Sequence, residues 1–333
     1  MKLKRIVVVG ATGMVGREML SILLSRGVPP GNIVPAASAK SAGQGLAYGD
    51  ATLIVSSLDD VRFGEFDVAL FSAGKDVSAH YAPIAANDGC TVIDNSSYFR
   101  GRDDIALIVP EVNLSDVTRY RNKKIIANPN CSTIQVVMVL KPLHDAFKLK
   151  ELAMSTYQAT SGAGRKAVDE LLEQTRSVLD GESVFPQRFR KRIAFNVIPQ
   201  IDDFSELGYT KEELKMMNEF KKILGVDDVD ITATCVRVPV VTGHSVSVFA
   251  KFAENIDLDR AIAALHKFSG VRVVDNNSTG EYATPLDAVG EDAVLVSRIR
   301  AHPTLKKAIS FWCVSDNLRK GAALNAVQIA SKI

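Results

Sequence analysis

The sequence has 333 residues, 47% hydrophobic and 23% charged, with a formal net charge of +2; that length and apolar content support two domains rather than one, and the near balance of charge excludes nucleic acid or an anionic membrane as the main partner. No apolar run approaches the roughly 20 residues that cross a bilayer. Four cysteines without CxxC spacing and five scattered histidines exclude a disulfide scaffold and form no metal-ligand pattern, so the expectation is a metal-free protein of the reducing cytoplasm that acts on a small molecule.

The N-terminus runs directly into a β-branched strand, Arg5 to Val9, without the charged and long apolar regions of an export signal. Gly10-Ala-Thr-Gly13-Met-Val-Gly16 follows. Val15, Met19, Ile22 and Leu23 then recur at helical spacing up to Arg26, and Gly27, Pro29 and Pro30 end the helix. A glycine turn between a first strand and a first helix offers backbone N–H groups and the positive end of the helix dipole to a pyrophosphate. The spacing is GxxGxxG rather than GxGxxG, which on glycines alone fits an ordinary tight turn equally well. Its place at the head of a strand–helix–strand pattern favours the dinucleotide.

The second strand, Ile33 to Ala37, is followed by Ser38, Lys40 and Ser41, with no acid before Gly49. An NAD site usually presents Asp or Glu to the ribose hydroxyls here. Donors in place of a carboxylate suit a 2′-phosphate and predict NADP(H), the alternative being that Lys40 is a solvated loop charge. Apolar runs at Asp67 to Phe71, Thr91 to Ile93, Ala106 to Val109 and Lys124 to Ala127 read as buried parallel strands. The first half is therefore a doubly wound α/β domain.

In Asn128-Pro-Asn-Cys131-Ser-Thr a cysteine stands where a strand ends and a helix, Ser132 to Leu143, begins. The positive end of a helix lowers a thiol's pKa, and free N–H groups there can hold an oxyanion, so Cys131 is the candidate nucleophile. Cys90 and Cys313 read as small core residues. Alternating strands at Leu152 to Gln158, Asp230 to Val238 and Ser245 to Phe252 predict an α+β second domain and leave Cys235 on the same face as Arg237, its role open. Arg188-Phe-Arg-Lys-Arg192 reads as solvated surface ahead of a nucleic-acid contact. A closing helix, Asn317 to Ile329, carries Leu318, Ala322, Asn325 and Ile329 on one face and is expected to return to the first domain. Residues 1–129 with 315–333 thus form the dinucleotide-binding domain, and 130–314 the catalytic and dimerisation domain.

GATGMVG from Gly10, NPNCSTIQ from Asn128, YQATSGAG from Tyr157, RVPVVTGHS from Arg237 and SDNLRKGAALNAV from Ser315 occur in an order and spacing that resemble the aspartate-semialdehyde dehydrogenases over essentially the whole chain. The resemblance implies a Rossmann-type NADP-binding domain joined to an α+β domain of the glyceraldehyde-phosphate-dehydrogenase-like type. It implies that Cys131 attacks L-aspartyl-4-phosphate, expels phosphate and holds the acyl group as a thioester for reduction to L-aspartate 4-semialdehyde. His244 would be the general acid/base and Gln158 the amide that orients the substrate. Arg237 would pair with the α-carboxylate, for which an interdomain salt bridge is the plainer alternative, and Glu212 with the amine. Arg100 and Lys215 would bind phosphate. Thr12, Gly13, Met14 and Val15, Lys40 and Ser41, Ser161 and Gly162, and Asn317 would hold the cofactor. A homodimer or tetramer, and synthesis of lysine, diaminopimelate, threonine, methionine and isoleucine, follow from the same resemblance. Tyr48 to Asp60 and Asp180 to Ile193 read as variable surface.

Rival readings are a related acyl-phosphate reductase of the N-acetyl-glutamyl-phosphate type, a glyceraldehyde-phosphate dehydrogenase, and a noncatalytic NADP-binding paralogue. The wording around Cys131 and from Arg237 to Ser245 argues against the first two. Retention of Cys131, Gln158, Arg237 and His244 together argues against the third.

Overall fold

The computed structural model describes residues 4–333, and of residues 119–122 the backbone only; the first three residues of the N-terminal reading lie outside the described residues. The chain divides into two compact units, Met1–Asn130 with Ala322–Ile333, and Cys131–Gly321. No helix among the described residues is long and apolar enough to cross a membrane.

The first unit is built on a seven-stranded sheet in the order Ser56–Ser57, Ile33–Ala37, Ile6–Val9, Val68–Phe71, Thr91–Asp94, Ile125–Ala127, Ala106–Leu107. Every pairing in it is parallel. Parallel strands are covered on both faces, and Ile6–Val9 is accordingly fully buried. The strand order reverses beside Ile6–Val9, which has Ile33–Ala37 on one side and Val68–Phe71 on the other. Helix Met14–Ser25 starts from that point, and Met19, Ile22 and Leu23 share a core with Ile6, Val8 and with Leu324, Val327 and Ile329 of the last helix. Burying side chains of the size of Ile22 or Leu23 contributes about 1.5–3 kcal/mol each.

Two parts differ from the sequence reading. Gly45–Tyr48 and Ala51–Ile54 form an antiparallel hairpin, so the stretch from Tyr48 to Asp60 is not all surface: Leu46, Tyr48 and Leu53 alternate into the core and the Tyr48 hydroxyl donates to the Val28 carbonyl at 2.7 Å. The closing helix starts later, at Leu324–Lys332. Before it, Arg319–Ala323 makes a wide π-type turn in which the Gly321 amide reaches back to the Asp316 carbonyl at 3.0 Å. The Asp316 carboxylate takes the Leu318 and Arg319 amides at 2.9 and 3.1 Å and so caps this turn in place of a regular helix start.

The second unit is a six-stranded mixed sheet in the order Asp230–Arg237, Leu149–Gln158, His244–Phe252, Ala308–Ser315, Val294–Ala301, Val271–Val273. Helix Cys131–Phe147, flanked by Lys211–Leu224 and Leu258–Lys267, packs on one face. Along Leu149–Gln158 that face receives Leu152, Met154, Thr156 and Gln158, all buried. On the other face Ser155, Ser247, Phe249 and Trp312 are half-buried, and Tyr157, exposed, has its ring 5.2 Å from that of Trp312. Register brings Gln158 opposite Arg237, Tyr157 opposite Ser245, and His244 opposite Ser315, so these residues emerge at one end of the sheet.

Candidate active site

Cys131 is the first residue of helix Cys131–Phe147 and is half-buried, while Ser132 and Thr133 beside it are buried. Gly321 comes up against it: a Cβ there would lie 2.9 Å from the Cys131 Cβ. The sequence reading passed over Gly321, and the signal available was a glycine interrupting a helical pattern.

Gln158, Arg237 and His244 are nearly or wholly removed from solvent. The Gln158 carbonyl oxygen accepts from the Thr156 hydroxyl at 3.0 Å, and its amide donates to Glu212 at 3.4 Å. Glu212 in turn lies 3.5 Å from Lys215, whose ammonium also pairs with Asp202 at 2.6 Å. A capping box, Thr210 with Glu213, starts the helix that carries Glu212 and Lys215. Arg237 donates to the Ala159 carbonyl at 2.7 Å. Burial pulls its guanidinium below the ordinary arginine value, and the nearby negative charges of Glu212 and Cys131 oppose that shift.

The Ala159 amide donates to His244 Nδ1 at 3.0 Å, which leaves the proton of the neutral ring on Nε2. Nε2 is buried and has no hydrogen-bond partner among the described residues. Burial, reinforced by the Arg237 charge, holds the imidazole well below the usual histidine range, so the ring is neutral at physiological pH. A buried N–H without a hydrogen-bond partner among the described residues, beside an arginine, is an arrangement for donating to an oxygen that acquires negative charge.

Gly162 keeps this space open. A Cβ on it would lie 2.9 Å from His244 Nε2, 3.0 Å from Cε1 and 3.1 Å from Arg237 Nη1. Gly162→Ala is therefore expected to displace both side chains and lower kcat/KM by about 100-fold, with the far-ultraviolet circular dichroism unchanged; a variant within a few-fold of the parent would show that neither group depends on this gap. Asn317 steadies the neighbouring loops: its carbonyl oxygen accepts from the Gly243 amide at 2.9 Å and its amide donates to the Ser161 hydroxyl at 2.9 Å.

In the first unit, the glycine turn lies at the carboxyl ends of the strands, where doubly wound sheets bind ligands. Gly10 has φ +84°, and a Cβ there would fall 2.3 Å from the Ser72 carbonyl oxygen. A Cβ on Gly16 would fall 2.2 Å from the Gly10 carbonyl oxygen, so the turn closes tightly onto the helix start. Gly13 precedes the helix with no side-chain cap and no acid in the first turn, which leaves the helix N-terminus to a phosphate. Thr12, Met14 and Val15 are half-buried around it. The donor set fits a dinucleotide. The Gly10 and Ala11 amides bond the Ala36 carbonyl, which brings the Ser38, Lys40 and Ser41 loop alongside; Lys40 is exposed. Arg100 stands on a loop fixed by the buried Asp94 carboxylate, which accepts from Ser78 and Ser96 at 2.6 Å, and its guanidinium donates to the Asn95 carbonyl at 2.6 Å.

Cys90, Cys235 and Cys313 are buried and burial pushes each thiol up, which suits core residues. Cys235 lies 3.6 Å from the Met216 sulfur. No group of three or more His, Cys, Asp or Glu side chains that would hold a metal occurs among the described residues. Arg188 and Arg190 line a cavity of about 500 Å³ with Ala163, Asp202, Asp203 and Arg237.

Two family models match, one described as the semialdehyde dehydrogenase NAD binding domain over residues 5–120 and one as its dimerisation domain over residues 140–320. An aspartate-semialdehyde dehydrogenase of Rickettsia bellii is 47% identical over 98% of this chain and 97% of its own. The crystal structure of aspartate semialdehyde dehydrogenase II from Vibrio cholerae, complexed with ASA, is 42% identical, covers 99% of this chain and 98% of its own, and has a TM-score of 0.96. That of the Candida albicans enzyme with NADP is 25% identical, covers 98% of this chain and 97% of its own, and has a TM-score of 0.75. With full-length identity above two-fifths and both domains matched, the chain belongs to the aspartate-semialdehyde dehydrogenase family.

Proposed function

We propose that the protein reduces L-aspartyl-4-phosphate to L-aspartate 4-semialdehyde, with release of phosphate, through a thioester on Cys131. The observation that carries this reading is the convergence of Gln158, Arg237 and His244 at one end of a single sheet, in the unit where Cys131 opens a helix. The Cys131 thiolate attacks the acyl carbon, and the C–O bond to phosphate breaks. A thioester lacks the resonance that makes a carboxylate a poor hydride acceptor, and the bound dinucleotide supplies that hydride. As the carbonyl carbon is reduced, His244 Nε2–H donates to the oxygen that gains charge, and collapse returns the aldehyde and the Cys131 thiolate, so this step needs no net proton, while the departing phosphate takes up one proton from water to leave as hydrogen phosphate.

Gln158 orients the substrate without adding charge. Arg237 offers two parallel donors to the α-carboxylate, and Glu212 faces the amine. Arg100 and Lys215 are the cations assigned to phosphate. Gly10, Thr12 to Gly16, Ser38, Lys40, Ser41, Ser161, Gly162 and Asn317 are assigned to the cofactor. NADP(H) rather than NAD(H) is favoured by the acid-free Ser38–Ser41 loop and by the NADP in the Candida albicans relative's structure. The match to a dimerisation domain and the aromatic second face of the sheet, Tyr157 with Trp312, support a homodimer, with a tetramer as a further assembly, in the cytoplasm.

The test follows NADPH formation in the reverse direction, from aspartate semialdehyde. Turnover that requires inorganic phosphate and runs far better with NADP than NAD is expected. Inert aspartate semialdehyde with turnover of N-acetyl-glutamate semialdehyde would replace the substrate, and NADP binding with no turnover of either would favour a noncatalytic role.

A further inference from the structure

We propose that Asp202 is a built-in competitor for the phosphate site, a carboxylate that occupies the Lys215 ammonium until a phosphate dianion displaces it. This rests on the assignment of Lys215 to phosphate given above. At 2.6 Å the Asp202–Lys215 contact is a short charge-assisted hydrogen bond, closer than the 3.5 Å between Lys215 and Glu212. Both side chains remain about a third exposed, at 34% and 31%, so water reaches the pair and exchange is inexpensive.

The carboxylate is aimed by its own backbone. Asp202 sits at φ +69°, a left-handed conformation that aspartate tolerates. Its second oxygen accepts from the Asp203 amide at 2.9 Å, and Gln200 donates to its carbonyl at 3.2 Å. Burial works to raise the carboxyl, but the hydrogen bonds from Lys215 and Asp203 and the Lys215 charge outweigh it and keep the group ionised.

The surroundings favour anions. Asp202 lines the 500 Å³ cavity with Arg188, Arg190 and Arg237, and Asp203, the other carboxylate there, lies 3.6 Å from Arg190. A carboxylate stationed among these cations sets a threshold. A phosphate dianion carries more charge and more acceptor oxygens and displaces it, whereas a singly charged anion has no such advantage. Asp202 thereby favours phosphate over monoanions and promotes its release after acyl transfer.

The experiment varies inorganic phosphate in the reverse assay on the full-length enzyme. Asp202→Asn keeps the size of the side chain and an acceptor oxygen for Lys215 while removing the charge. It is expected to lower KM for phosphate about fivefold, to leave kcat nearly unchanged, and to strengthen inhibition by acetate; Asp202→Ser, which lacks the acceptor, shifts KM the same way. In a Lys215→Ala background, which itself raises KM for phosphate, the Asp202 effect is lost. If Lys215→Ala raises KM but both Asp202 variants leave it unchanged or raise it, Asp202 only positions Lys215 and the proposal is overturned. If Lys215→Ala leaves KM unchanged, the assignment of Lys215 to phosphate fails first and takes the proposal with it.

Discussion

Replacing Cys131 with alanine is expected to lower turnover in both directions by at least about four orders of magnitude while the protein still folds and still binds NADP(H). Alanine is the best helix former, so the first turn of Cys131–Phe147 persists. The half-buried side chain is small, and alanine keeps the Cβ that lies against Gly321, so little packing is lost. What disappears, on the proposed mechanism, is the group that carries the acyl chain between loss of phosphate and reduction. The variant keeps Gln158, Arg237 and His244, the residues assigned to the substrate, but has no thiolate to convert the acyl phosphate, a mixed anhydride, into a thioester. Stopped-flow measurement of NADPH formation, with dinucleotide binding followed by fluorescence quenching, separates chemistry from binding. Acid-quenched wild-type enzyme should also carry an aspartyl adduct on the tryptic peptide containing Cys131, absent from the variant. Residual turnover within about a hundredfold of wild type would mean that the hydride acceptor is not a Cys131 thioester.

His244→Gln should lower kcat/KM by about two to four orders of magnitude and alter the pH dependence of stability in a defined direction. The glutamine keeps a hydrogen-bonding end but loses the ring geometry that points an N–H into the space left by Gly162. In the native wild type, burial and the Arg237 charge keep the imidazole neutral well below its ordinary pKa, whereas in the unfolded chain it takes up a proton near about pH 6.5. The unfolded state therefore binds the extra proton. The associated stability is fully present above about pH 6.5 and is lost as the pH falls toward the depressed native value, by up to about 1.4 kcal/mol per pH unit. His144 is shifted down as well, by burial, but it is common to both proteins and cancels. Urea unfolding at about pH 7.5 and pH 5.5 should show the wild type losing more stability than His244→Gln on acidification. Equal losses would mean that the native ring takes up its proton in the ordinary range.

Much of the candidate site was readable in one dimension because its residues sit at or near element ends, and ends carry local signals. The glycines from Gly10 to Gly16, the Asn-Pro-Asn before Cys131 and the missing acid between Ile33 and Gly49 each mark where a strand stops, and each can be interpreted without knowing what lies opposite. What escaped was set by pairing across long sequence distances. That the ring proton of His244 lies on Nε2 depends on the Ala159 amide, and Ala159 reaches it only because Tyr157 pairs with Ser245. The contact of Gly321 with Cys131 and of Asp202 with Lys215 has no periodicity to announce it. The Gly45–Tyr48 and Ala51–Ile54 hairpin was missed for a different reason: its strands are short, and half their residues face solvent.

The segment carrying Arg188 and Arg190 is held in an unusual way. Two buried side chains one turn apart on helix Arg165–Leu179 grip it by its backbone: Glu170 accepts from the Gln187 and Arg188 amides at 2.9 and 2.6 Å, and Gln174 from the Ile193 and Ala194 amides at 2.9 and 3.3 Å. Main-chain amides are nearly the same whatever residue bears them. The path of the segment is thus uncoupled from the identity of its exposed side chains, so arginines there can be exchanged for other residues without redesigning the scaffold. A selection experiment seeking a new acyl-phosphate preference would do well to randomise Arg188 to Arg192 and leave Glu170 and Gln174 alone.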